Sequence, residues 1–135
     1  MSRPFAERFA EAWARPTPQG LVALLHPEVV LYQPHLPPIR GRDAALHEFQ
    51  RLLAWLPQLH GTVERWSESA GDVFIEWEMR LPLGKDLVRI RAVDRFRVAD
   101  GLGMERAVYF DQVQLIRAVA THPRLWWGYL RYRYG

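Results

Sequence analysis

The stretch that decides the fold is Val93-Asp94-Arg95-Phe96-Arg97-Val98-Ala99-Asp100-Gly101-Leu102, running on to Glu105-Arg106-Ala107-Val108-Tyr109-Phe110-Asp111. Two alternating runs flank an Asp-Gly pair, the strongest short-range signal for a hairpin. By the two-residue strand period, Ala92, Asp94, Phe96 and Val98 share one face, while Arg89, Arg91, Arg95 and Arg97 share the other. Asp94 therefore points inward with the apolar set. A carboxylate there is costly unless it is paired, hydrogen-bonded or open to a cavity. Arg106 takes the same inner face of the second run, so the hairpin brings it into direct or diagonal contact with Asp94.

Working outward, the period of two also governs Thr62 to Ser67 and Val73 to Leu81. With Leu87 to Val98 and Met104 to Leu115 these make four expected strands, linked by short turns such as Leu81-Pro82-Leu83-Gly84-Lys85. Upstream of Gly61 the period is helical. Phe5, Phe9, Ala12 and Trp13 recur at three- and four-residue spacing. Thr17 and Pro18 can cap and start a second short helix through Leu25. Val29 to Gln33 reads as a strand stopped by Pro34, and residues 35–41 as an irregular loop. Asp43 can cap a third helix with a stripe of Leu46, Phe49, Leu52, Leu53 and Leu56. Helices followed by an antiparallel sheet make an α+β class, expected as one domain over residues 1–135, with a short aromatic tail at 122–135.

Composition narrows the function classes. The chain has 135 residues and no cysteine, which excludes disulfides and thiol chemistry. Eighteen basic against fifteen acidic side chains leave a mild +3. The arginines of the 89–97 strand face Glu76 and Glu78 on its neighbour, so that surface reads as cross-strand pairs rather than a nucleic-acid site. No apolar run approaches a membrane span or a leader, so a cytoplasmic protein with no membrane partner is expected. The histidines lack ligand spacing, and neither a metal nor another cofactor is expected.

Three signatures stand in this order: Leu25-His26-Pro27-Glu28-Val29-Val30, Gly41-Arg42-Asp43-Ala44, and Asp94-Arg95-Phe96 through Tyr109-Phe110-Asp111. Together they resemble the nuclear transport factor 2-like superfamily, and within it the SnoaL-like, polyketide cyclase-like group. The resemblance covers nearly the whole chain. It implies a cone: a strongly curved sheet wrapped around the N-terminal helices, an apolar pocket within, and a homodimer. The implied lining is Ile75, Trp77, Met79, Phe96, Val108 and Phe110 from the strands and Phe9, Trp13, Phe49 and Leu53 from the helices, with Tyr32, Gln33 and His35 near the mouth. Ketosteroid isomerases place a base, an oxyanion tyrosine and a protonated aspartate where this chain has Gln33, Phe9 and Ala92. Limonene epoxide hydrolases place an Asp–Arg–Asp set nearest Glu76, Phe74 and Val108. Neither machinery carries over.

Asp94, Arg106 and His35 remain as catalytic candidates. Asp94 can serve as general base with Arg106 orienting it or holding a substrate oxygen; the same pair also fits a structural ion pair. As a catalytic histidine His35 would be expected to titrate in a useful range, yet a loop position alone carries no geometry. Two functions are therefore expected. One is binding of a small hydrophobic oxygenated molecule, with cofactor-free isomerase, cyclase or hydrolase chemistry. The other is a non-catalytic binding or dimerisation module.

Overall fold

The computed structural model describes residues 3–134. Helix α1 (Phe5–Ala14) buries Phe5, Ala6, Phe9 and Trp13 on one stripe. Helix α2 (Pro18–Val22) starts as its sequence demands, with the Thr17 hydroxyl accepting from the Gly20 amide at 2.9 Å and Pro18 in the first turn. Strands β1 (Leu25–Gln33) and β2 (Leu36–Arg40) follow, then α3 (Arg42–Trp55). Three long strands come next, β3 (His60–Ser69), β4 (Asp72–Leu83) and β5 (Asp86–Ala99), and then β6 (Leu102–Phe110). The chain closes with α4 (Gln112–Ala120), a short 3₁₀ turn (Pro123–Leu125) and α5 (Trp126–Tyr134).

All six strands form one open, curved sheet in the order β2-β1-β6-β5-β4-β3. Every neighbouring pair is antiparallel except β1 with β6. That parallel pair is possible because α3 and four strands intervene and supply the crossover. Irregularities in register, at Val63/Arg65 in β3 and Arg97/Val98 in β5 among others, bend the sheet. The β5–β6 turn has Asp100 and Gly101 both at positive φ, 54° and 77°, the geometry an Asp-Gly hairpin needs.

The two faces of β5 separate as the strand period requires. Ile90, Ala92, Asp94 and Phe96 are buried, whereas Arg89, Arg91 and Arg97 are exposed. Cross-strand ion pairs lace the outer face, including Arg95 with Glu105 at 2.9 Å and Arg65 with Glu76 at 3.3 Å. The inner face holds an aromatic core in which Phe9 meets Trp77 edge-on at 5.2 Å and Trp13 lies 4.8 Å from Trp77. Gly61 is glycine for this reason. A Cβ there would sit 2.5 Å from the Trp77 ring.

Several local expectations are corrected. The first strand begins at Leu25, and the proline-rich segment after it is strand β2, paired through Leu31↔Ile39 and Val30↔Arg40. Prolines are tolerated there because β2 is the sheet's edge. Gly41, at φ 91°, holds the N-cap of α3, and Asp43 stands in its first turn. The last strand ends at Phe110, not Leu115. Asp111 accepts from the Val113 amide at 2.9 Å and caps α4, so the alternation of Val113 and Leu115 was a false strand signal. Residues 122–135 are not a simple tail: through Tyr134 they form the 3₁₀ turn and α5, with Leu125 and Tyr132 buried.

Candidate functional site

Asp94 sits in the middle strand of three and is satisfied from both sides. It stands opposite Ile75 on β4 and Val108 on β6. Its two carboxylate oxygens reach diagonally, accepting from Trp77 Nε1 at 2.8 Å and from Arg106 Nε at 2.6 Å. Asp94 has no exposed surface, and Arg106 is 5% exposed. Burial pushes the Asp94 carboxyl upward, against the pull of the Arg106 guanidinium and the two hydrogen bonds. The guanidinium also lies 5.8 Å from the Trp13 ring and 5.7 Å from that of Phe96.

A cavity of about 70 Å³ lies beside this pair, between the inner sheet face, α3 and α4. Trp13, Gln33, His35, Phe49, Trp77, Met79, Arg106, Val108 and Phe110 are on its wall. Phe9, Ile75 and Phe96 are packed in the core instead, Leu53 packs against it, and Asp94 is screened behind Arg106 and Trp77. Tyr32 is 40% exposed and, with Tyr109, lines a separate shallow groove. The cavity is roughly half the ~150 Å³ at which a dry apolar cavity admits benzene. It fits a few heavy atoms as it stands, and a larger guest must displace half-buried wall residues such as Met79, Leu52 or Leu115.

The cavity's polar end contains residues that the sequence did not single out. Glu48 of α3 lines it and is only 6% exposed. Its Oε2 accepts from the Tyr132 hydroxyl at 3.1 Å, and that hydroxyl lies 2.8 Å from His35 Nε2. Burial pushes the Glu48 carboxyl up to about 7, against the bond from Tyr132 and the charges of Arg51 and Arg106. Burial and the charges of Arg133 and Arg106 lower His35 to about 4, so its ring is neutral at physiological pH. His35 Nδ1 is buried and has no partner among the described residues. The signal for Glu48 was available in the helical period, since Ala45, Glu48, Leu52 and Trp55 follow one stripe. Tyr132 gave no such signal, because its role depends on how α5 docks.

That docking has a definite cause. The Trp55 and Tyr132 rings stack at 5.1 Å, and the Trp55 indole donates to the Leu125 carbonyl at 3.2 Å. Gly128 admits the Trp55 ring, where a Cβ would stand 2.5 Å from Cδ1. Among the described residues no group of three His, Asp or Glu could hold a metal ion, and no helix is long and apolar enough to cross a membrane.

Residues 6–105 match the model of the SnoaL-like domain. The chain belongs to the SnoaL-like family. Curated protein sequences contain no significant match to it. Solved structures similar to this SnoaL-like chain include a protein of ketosteroid isomerase-like fold from Catenulispora acidiphila, in complex with trimethylamine. It has 14% identity and a TM-score of 0.76 over 87% of this chain and 92% of that one. TerC, co-crystallised with polyporic acid, matches at 15% identity and TM-score 0.74, covering 86% and 95%. An epoxide hydrolase of Mycobacterium tuberculosis, described as LEH-like, matches at 20% and 0.69, covering 87% and 88%. At these identities the likeness shows the fold.

Proposed function

We propose that this SnoaL-like chain binds a small, mostly apolar molecule carrying an oxygen, and moves a proton on it without a cofactor, as an isomerase, cyclase or hydrolase does. The observation that carries this is Arg106. Asp94 occupies its Nε, while the side chain lines a mostly apolar cavity whose other polar wall residues are Gln33, His35 and Glu48. Its terminal nitrogens are thereby offered to a ligand oxygen, where a bidentate, charge-assisted contact is strongest. Asp94 then acts as a positioning residue, and His35 is the better placed group for exchanging a proton with the ligand. The ligands named for the similar structures, trimethylamine and polyporic acid, are small molecules too.

A specific observation favours the second reading, binding without turnover: the cavity is narrow and Asp94 is sealed from it. One experiment separates the three outcomes. Small cyclic ketones, phenols and carboxylic acids are screened by ligand-detected NMR against the wild-type chain and Val108→Phe, which fills the cavity. Saturable binding lost in Val108→Phe, together with solvent-deuterium incorporation into a bound ketone, supports proton transfer. Binding without incorporation supports the second reading, and binding by neither protein removes both.

In the same proposal the chain works as a homodimer across the outer sheet face, where Tyr109 is 60% exposed beside Tyr32. Sedimentation showing only monomer at tens of micromolar, roughly where weak interfaces dissociate, overturns that part.

A further inference from the structure

The Glu48–Tyr132–His35 chain joins three elements distant in sequence, and each contact is a hydrogen bond with one hydroxyl proton at its centre. A phenol has a single proton to donate. When Tyr132 donates to Glu48, its oxygen accepts from His35, which must carry its proton on Nε2. Nδ1 is then a bare lone pair. When Glu48 is protonated and donates to the Tyr132 oxygen, Tyr132 donates to His35 Nε2, and the ring proton must reside on Nδ1. The two states differ at the one ring nitrogen that no described protein group satisfies.

We infer that Glu48, Tyr132 and His35 form a proton relay in which the protonation of Glu48 decides whether His35 Nδ1 offers the ligand a lone pair or an N–H. The use of this relay rests on the ligand-binding reading above; its existence does not. In the forward direction a ligand proton passes to Nδ1. The Nε2 proton passes to the Tyr132 oxygen, and the Tyr132 proton passes to Glu48 Oε2. Three bonds to hydrogen form and three break, and the net result is a proton stored on Glu48 and a ligand anion held by Arg106. The reverse sequence returns that proton to another atom of the ligand, as an isomerisation or ring closure requires.

The surroundings suit a store that fills and empties. The charged or titratable neighbours of Glu48 and His35 are Arg51 and His47 from α3, Arg106 from β6, Arg40 from β2, and Tyr132 and Arg133 from α5. Of these, the guanidinium groups of Arg51 and Arg106 hold back the rise that burial imposes on Glu48. Glu48 titrates at about 7 and His35 at about 4, so the ring stays neutral while the carboxyl changes state.

The test uses the full chain without any ligand, labelled with ¹⁵N, and reads the ring nitrogens of His35 from about pH 5.5 to about 8.5, above the ring's own titration. The expected result is a neutral imidazole at every pH whose tautomer changes from Nδ1–H at the acid end to Nε2–H at the alkaline end, with Glu48. Tyr132→Phe should abolish the change. Glu48→Gln should hold one tautomer throughout and serves as the second variant should Tyr132→Phe not fold. A single unchanging tautomer in the wild-type chain overturns the relay, as does a change that survives in either variant. Because no ligand is present, loss of the binding reading would leave this result standing.

Discussion

Asp94 and Glu48 are both carboxylates buried under the inner face of the sheet, and they are satisfied in opposite ways. Asp94 accepts from two strong fixed donors on rigid neighbouring strands, one of them an arginine that never loses its proton. Glu48 sits on a helix and accepts one bond from a phenol on α5, with its cations further off. The first arrangement fixes the carboxyl between two donors and so orients Arg106, although burial pushes this carboxyl upward as well. The second leaves a carboxyl near neutrality. Burial alone therefore does not mark a working acid. The number and permanence of the donors around it does.

The largest way to test this contrast is to remove what fixes Asp94. Trp77→Ala should cost at least the ~3–5 kcal/mol of a packed aromatic truncation, because it also strips one donor from a buried carboxylate. Phe110→Ala, on the cavity wall and only half-buried, should cost clearly less; denaturant midpoints compare them. Equal losses would mean the cavity does not spare its wall residues. Arg106→Met should cost ~3–5 kcal/mol by leaving Asp94 unpaired, whereas Asp94→Asn with Arg106→Met should be milder than the sum. Additive single effects in that double-mutant cycle would mean the pair does not interact.

At the other carboxylate the effect depends on pH. Glu48 is raised from 4.5 to about 7 in the folded chain, so its neutral form favours folding. That contribution is complete below about pH 4.5 and is lost as pH rises through 7. Glu48→Gln should therefore gain on the wild type by on the order of 3 kcal/mol between those limits, at ~1.4 kcal/mol per pKa step. Unfolding curves at several pH values read this directly, and a constant difference would show that Glu48 titrates normally. His35 works in the opposite sense, its contribution falling away as pH drops from 6.5 through 4. The smallest expected effect is that of Gly128→Ala. Its Cβ would press on Trp55, and such overpacking costs ~1–3 kcal/mol. It should weaken the docking of α5 while leaving the Asp94 end intact, as hydrogen exchange can resolve.

How legible each end was follows from what wrote it. The Asp94 end is a matter of strand period and one tight turn, so the faces of β5 and β6 and the Asp94–Arg106 contact were readable from residues twelve apart. The Trp77 bond was not, since the indole could equally have faced Ala92 alone. The polar end depends on docking. Residues 35–41 carry two prolines and looked irregular, yet β1 accepts residues 36–40 as an edge strand. Gln112 to Leu115 alternates like a strand, and only the Asp111 cap reveals the helix. His35 was seen without its partners because those partners lie 97 residues away for Tyr132 and on a helix stripe for Glu48.

The one parallel pair in the sheet has a consequence for how the molecule assembles. β1 meets β6 through contacts such as Leu31↔Arg106, the longest reach of any strand pair here. β3 to β6 form an uninterrupted run of hairpins that can zip locally, whereas β1 must wait for β6 to exist, and such non-local closure is the slow kind. The Asp94 pair lies inside the local run. His35 follows directly on β1, and Tyr132 lies beyond β6. A partly folded chain can therefore already own its buried ion pair, but the far end of the cavity comes into being only when the chain's two ends have met.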